Sequence, residues 1–327
     1  MPDGTVSDGG VWLRLIASIS ALGLGVAAVA IVAVLAHRTP GPAGATNAPV
    51  TASTQPTATT PQTSEPAFPA SPEGAVVFSR PAGDEVVALG VVPGKRLLLQ
   101  ASVVGGQGEG VKGLDVSFGL DGRTLRGDPC GPGCYRAKAP TSAVPEAIDL
   151  RVSGKNPVTW RVPLPKRWPP PDASAIVARA TKTFRRLKTL TTDDSLSSGL
   201  GTTLRTHWVV AAPNRLTYQV RGGPSAVIIG NTRWDKVAPG EPWVKSVQSP
   251  IRQPTQFWVS WQNAHVIAET PKAWRITFFD PKTPGWYEIR VAKDTRRTLD
   301  MRMQAAAHFM RQTYGNFNAP VQIAPPR

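Results

Sequence analysis

Thioether and imidazole groups gather in one stretch of this chain. Met301-Arg302-Met303-Gln304-Ala305-Ala306-Ala307-His308-Phe309-Met310 holds three of the four Met and one of the four His. Such soft sulfur and nitrogen donors suit Cu(I), the one cofactor the sequence brings into view. On a continuous strand Met301 and Met303 share one face while His308 and Met310 take the other. A bulge or turn around Ala305–Ala307 is then needed to bring all four together. The competing reading has the methionines filling a core, with His308 satisfied by a hydrogen bond.

No catalytic pattern accompanies them. G-x-S-x-G, H-E-x-x-H, P-loop and G-x-G-x-x-G motifs are all missing from the sequence. Asp193-Asp194 falls in a turn-like context with no His near it in sequence. The chain therefore reads as a non-enzyme. Cys130 and Cys134 enclose Gly131-Pro132-Gly133. A redox pair prefers C-x2-C at a helix start, so this Gly/Pro turn favours a structural disulfide closing a tight loop, with a metal or redox pair as the alternative.

Composition and patterning say what must position these groups. The 327 residues carry 37 Lys and Arg against 22 Asp and Glu, a net charge of +15, with 30 Gly and 33 Pro. So much proline excludes a mainly helical chain, and two cysteines exclude a dense disulfide scaffold. Leu15–Ala36 is an uncharged run of 22 residues, and roughly 20 such residues cross a bilayer core. The adopted reading is an uncleaved single-span anchor through residues 15–36, with a cytoplasmic tip, so that residues 1–38 form tip and anchor. Cleavage near Val34-x-Ala36 or Ala43-Gly44-Ala45, or a buried helix, are the alternatives. Residues 39–72, rich in Pro, Thr and Ala, read as a disordered linker. Everything beyond residue 38 is expected outside the cytoplasm, at the cell membrane.

Residues 73–168 show about seven short alternating strands, such as Val116-x-Phe118-x-Leu120 and Trp160-x-Val162-x-Leu164, the pattern of a small antiparallel β-sandwich. Asp172 is a natural N-cap for a helix running to about Leu190. A long antiparallel meander follows, including Phe257–Trp261, so residues 172–327 read as an α+β half-barrel with a leading helix. Mainly β, membrane-anchored, is the expected class. Seven of the ten Trp lie in this second unit. Trp208, Trp234, Trp258, Trp261, Trp274 and Trp286 are candidates to line a ligand cavity, against the plainer reading of a thick core. From Asp172 onward 22 basic residues face 10 acidic ones, a balance suited to anionic headgroups or envelope polymers. Nucleic acid is not expected, because no helix-turn-helix, RNP or zinc-finger pattern is present.

Two resemblances sharpen these readings. The Cys130-Gly131-Pro132-Gly133-Cys134-Tyr135 loop and the Trp160-x-Val162-x-Leu164-Pro165 ending resemble the immunoglobulin-like FixH-like or YtkA-like domains. Those accompany copper-handling membrane proteins, although residues 73–168 contain no Met or His to bind copper. The order from the helix through "APNRLTY", "VIIGNTRW", Phe278-Phe279-Asp280-Pro281 and Trp286-Tyr287-Glu288-Ile289 to Ala307-His308-Phe309-Met310 resembles LolA-like and LppX-like domains. That resemblance implies a curved half-barrel sheltering acyl chains in an apolar cavity. The combination resembles the extracytoplasmic part that accompanies actinobacterial copper-resistance proteins of the CopD type. It implies a binding module for a lipid, apolar ligand or envelope partner, with a copper-handling membrane protein as a partner. A Cu(I)-binding homeostasis protein and a structural scaffold of the envelope are the alternatives.

Overall fold

A computed structural model describes residues 70–140 and 144–327. The expected span at 15–36 and nearly all of the expected linker lie outside the described residues. Nine strands come first. They are β1 (Val76–Ala82), β2 (Glu85–Val92), β3 (Arg96–Val104), β4 (Val116–Leu120) and β5 (Arg123–Arg126). β6 (Asp128–Gly131), β7 (Cys134–Pro140), β8 (Ala147–Val152) and β9 (Val158–Pro163) complete the set. All pair antiparallel, in one sheet of order β1-β2-β3-β7-β6 and another of order β5-β4-β8-β9. Their facing sides enclose Leu89, Leu99, Phe118, Ile148 and Leu150, each fully buried. The two short strands β5 and β6 raise the count above the seven that hydrophobic alternation picks out, because polar Arg- and Pro-containing segments carry no period-2 signal. Cys130 and Cys134 form a disulfide across the β6–β7 turn.

The second part begins with α1 (Ser174–Phe184). Asp172 accepts the Ser174 backbone N–H at 3.2 Å, and Val177, Ala180, Thr181 and Phe184 form the buried stripe. The helix stops six residues short of the expected Leu190. Thr189–Ser197 is instead a strand, β10, although sequence reads Asp193-Asp194 as a loop. Ten more strands follow: β11 (Thr203–Ala211), β12 (Arg215–Val220), β13 (Ser225–Ile229), β14 (Thr232–Lys236) and β15 (Val244–Val247). The last five are β16 (Gln262–Glu269), β17 (Ala273–Asp280), β18 (Gly285–Ala292), β19 (Thr298–Ala305) and β20 (His308–Gly315).

These eleven strands make one antiparallel sheet of order β15-β14-β13-β12-β11-β10-β20-β19-β18-β17-β16. It does not close into a barrel, and β15 and β16, consecutive in the chain, are its two opposite edges. The connection between them, residues 248–261, has no helix or strand. It therefore has to travel from one edge to the other. It does so as a strap over the same face that α1 covers, with Ile251 and Trp258 buried there. Phe257–Trp261, expected as a strand, belongs to this strap.

The other face of the large sheet meets the sandwich. Ala75, Val77, Val86, Ala88 and Val104 bury against Phe279, Trp286, Ala306 and Phe309. Thr277 Oγ1 donates to the Val77 carbonyl at 2.6 Å. Strand β2 is consequently covered on both sides, and its sequence, EVVALGVV, has no polar alternation, the signature of a doubly buried strand. Gly199, at φ +81°, sits where a Cβ would collide with the Gly83 carbonyl of the β1–β2 turn, so only glycine fits this approach.

Candidate functional site

Alternation along each strand decides which side chains face the strap. Trp208 lies opposite Tyr218, Phe278 opposite Tyr287, and Tyr287 opposite Met303, so all share the inner face. Trp258 reaches down from the strap, 5.8 Å from the Phe278 ring and 6.1 Å from Tyr287. Its indole N–H donates to Thr181 Oγ1 of α1 at 2.9 Å. The rings and α1 fill most of the inner face. A cavity of about 150 Å³ remains beneath the strap, lined by Phe184, Leu190, Trp208, Leu216, Phe257 and Tyr314.

The six candidate tryptophans divide. Trp208 and Trp258 are buried on the inner face, and Trp261 and Trp274 pack half-buried against the same core. Trp234 and Trp286 lie on the outer face. Trp234 pairs with Val227 while its neighbours Arg233 and Asp235 turn inward, and Trp286 is buried against the sandwich. The period-2 register assigns the faces of Trp208, Trp234, Trp274 and Trp286 and the strap places Trp258 and Trp261, a division sequence could not make because all six are equally large and apolar.

Most polar groups on the inner face are bonded, although Asp194 Oδ1 and the Tyr287 hydroxyl have no hydrogen-bond partner among the described residues. Arg233 and Asp235 form a two-pronged ion pair at 2.6 Å per contact, beside the Tyr218 hydroxyl at 3.3 Å. Burial pushes that phenol up to about 12. The spacing Arg233-x-Asp235 in a strand could have shown that both share a face. Asp194, also inward, accepts the Trp208 indole N–H at 2.8 Å, and burial raises its carboxyl above the ordinary value. Asp193 points outward, where cross-strand pairing puts it opposite His207, with Nδ1 and Oδ1 2.7 Å apart. The His partner that sequence does not place beside this aspartate arrives through a neighbouring strand.

Asp280 anchors the far end of the strap. Its Oδ2 accepts Val259 N–H at 2.7 Å, Ser260 N–H at 3.2 Å and Thr283 Oγ1 at 2.7 Å. Its Oδ1 accepts Ser260 Oγ at 2.5 Å and Lys282 N–H at 2.9 Å. Burial alone would raise its carboxyl, but these donors hold it below the ordinary value. The Lys282 and Thr283 donors are local, but nothing in the sequence marks the hold on the strap, because Val259 and Ser260 lie some 20 positions away.

Met301, Met303, His308 and Met310 come to one face. The Ala306–Ala307 turn folds β19 onto β20, so Met303 lies directly opposite Met310 and Ala305 opposite His308. Residues opposite each other in a ladder share a face, so the hairpin puts Met303 beside Met310. Met301, however, lies opposite Gln312 and His308 opposite Ala305, about 13 Å apart along the ladder, and the four do not converge on one point. All four are buried. His308 Nδ1 lies 2.6 Å from the Ala306 carbonyl, and burial lowers its pKa despite that bond. No group of three or more His, Cys, Asp or Glu with metal-binding proximity occurs among the described residues.

A larger cleft of about 640 Å³ opens between the sandwich and the large sheet. Phe78, Trp160 and Leu164 form one wall, Val266 and Ala268 the other, with Arg302 among its charged lining. Sequence could not find it, since its walls come from units separated by about a hundred residues.

Comparison with known proteins is sparse. No family model and no curated protein matches the chain. Among solved structures, a LolA superfamily protein from Nitrosomonas europaea is similar at 10% identity, over 47% of this chain and 96% of that one, with a TM-score of 0.23. The fold described above rests on its own strand order and burial.

Proposed function

We propose that this protein is a non-catalytic, membrane-anchored module that works outside the cytoplasm and holds a lipid or other apolar ligand. The ligand lies on the inner face of the large sheet, as the LolA-like resemblance of the sequence implies. The observation that carries the reading is the strap. It runs from one edge of an open sheet to the other above a largely apolar face, and it leaves a cavity lined by rings and aliphatic side chains with Thr192, Gln312 and the strap's Gln253, Thr255 and Gln256 among them. Ligand sites usually span about 300–1,000 Å³, so the 150 Å³ cavity must widen on loading. A strap without regular structure, held to the sheet mainly through Trp258 and Asp280, is the part that moves. Native mass spectrometry of Ser71–Arg327 tests this. A co-purified amphiphile of several hundred daltons (roughly the size of a lipid), released on denaturation, is expected. A bare protein that takes up no added phospholipid leaves the scaffold reading instead.

A second reading has one observation in its favour, the gathering of Met301, Met303, His308 and Met310 on one hairpin face. The lowered pKa of His308 keeps its imidazole neutral, the form that ligates metal. In that reading the module binds Cu(I) beside a copper-handling membrane protein. A stoichiometric Cu(I) adduct in the same spectra, lost in Met303→Leu with His308→Ala, supports it, and no adduct refutes it.

A further inference from the structure

The outer face of the large sheet is only partly covered by the sandwich, and the uncovered part carries an unusual ladder. Arg302 lies directly opposite Arg311, Arg311 opposite Ser195, and Ser195 opposite Arg205. Arg221 closes the row, its N–H bonded to the Arg205 carbonyl at 2.8 Å. Like charges directly opposite in a ladder are destabilising. Among the described residues none of these four arginines has a carboxylate within 4.0 Å, whereas Arg275, Arg290 and buried Arg233 each do. The carboxylates of this face are already engaged: Asp193 with His207, Glu288 with Arg275 and Asp300 with Arg290. Arg205, Arg221 and Arg311, with His207, also line an open depression of about 620 Å³.

The same face runs on to the β15 edge and changes character. Ser225 pairs with Lys236 and Val227 with Trp234, and Trp234 pairs with Lys245. Lys245 Nζ stands 5.9 Å from the Trp234 ring centre, and Lys236 Nζ 5.7 Å from that of Trp243. All four residues of β15 are exposed, Val247 at 83%. Glu241 is the one acidic residue in the β14–β15 connection. Half-exposed indoles, cationic heads above them and the bare Val247 are the composition of a surface that sits at a lipid headgroup layer.

We propose that this free outer face, from the exposed Arg311–Arg205–Arg221 row beyond the cleft-lining Arg302 to the Trp234–Trp243 edge, docks on an anionic phospholipid surface. Charge complementarity selects the occupant, and the uncharged 22-residue run preceding the described residues supplies the bilayer within reach. The docking does not require the inner cavity to hold a ligand, so either idea can fail alone. It fixes how the module stands on the membrane, with the strap side turned away from the headgroups.

The test is hydrogen–deuterium exchange of the full chain in nanodiscs. One set is phosphatidylcholine alone, and the other contains phosphatidylglycerol as a minor anionic component. Slower exchange in the β11–β15 peptides only with the anionic lipid, reversed by high salt, is the expected result. Each basic side chain near the surface is worth about fivefold in docking. Arg205→Gln with Arg311→Gln should therefore reduce the docked population about 25-fold, while the β2 and β18 peptides report that the variant is folded. Equal exchange in both lipids, or protection that survives in the variant, overturns the proposal. Protection produced by inorganic phosphate with phosphatidylcholine alone also overturns it, in favour of a discrete phosphate site.

Discussion

Replacing Asp280 by asparagine should loosen the strap more than any other conservative change. The carboxylate is fully buried, and each of its oxygens serves backbone N–H groups that cannot turn away. An Asn keeps one acceptor oxygen and sets an NH2 against the donors at the other end. At the Oδ2 end those are Val259 N–H and Ser260 N–H. A buried donor stripped of its acceptor costs about 1–3 kcal/mol; these two are part-buried, at the low end, so together they cost about 2 kcal/mol. For a folded region of this size each kcal/mol moves Tm by about 2–4 °C, which predicts a fall of about 4–8 °C at pH 7. Trypsin cleavage after Arg252, the exposed basic residue of the strap, should quicken in parallel, because local opening sets the accessible population. The pH dependence follows from the depressed carboxyl. A group whose folded pKa is lowered stabilises above its unfolded value, near 3.8, and that contribution disappears as pH falls through the folded value. The difference between wild type and variant should therefore shrink below about pH 4. An Asn variant melting within about 1 °C of wild type at pH 7, with unchanged cleavage at Arg252, would refute the reasoning.

The other expectations are briefer. Asp194→Asn should stabilise at neutral pH, because burial raises the folded pKa of Asp194 and its ionised form costs stability once pH rises through that value; Tm against pH should show the variant's advantage growing from acid to neutral. Replacing Cys130 and Cys134 by Ala should cost about 2 kcal/mol, the loop-closure entropy of so short a ring, read as a lower denaturant midpoint with unchanged slope. Phe309→Ala should cost about 3–5 kcal/mol, since Phe309 is buried in the cluster joining sandwich and sheet; exchange should rise in β1 and β2, and a rise confined to β20 would contradict a continuous interface.

Much of this architecture is local, and the sequence determined it. Period-2 runs such as VSFGL and TLRTHWVVA commit their segments to strands whatever they pack against, and the Gly131-Pro132-Gly133 turn holds its two cysteines at bonding distance. The unbroken apolar run of β2 even announces a strand covered on both sides. What sequence could not supply depends on partners far along the chain. Thr189–Ser197 reads as loop because Asp193 and Asp194 are costly in a sheet, yet His207 and the Trp208 indole, 14 residues away, remove that cost. Phe257–Trp261 has the residues of a strand, but the β16 edge beside it is taken by residues 171–173, and Asp280 fixes it as a strap. The inner or outer place of Trp208, Trp234, Trp274 and Trp286 was decided by register alone, and a shift of one residue would exchange them, whereas Trp258 and Trp261 are placed by the strap. Likewise Met301, Met303, His308 and Met310 share a face only because a turn reverses the chain between them. The arginine ladder is invisible in sequence, because its members come from four strands and become neighbours only when the sheet assembles.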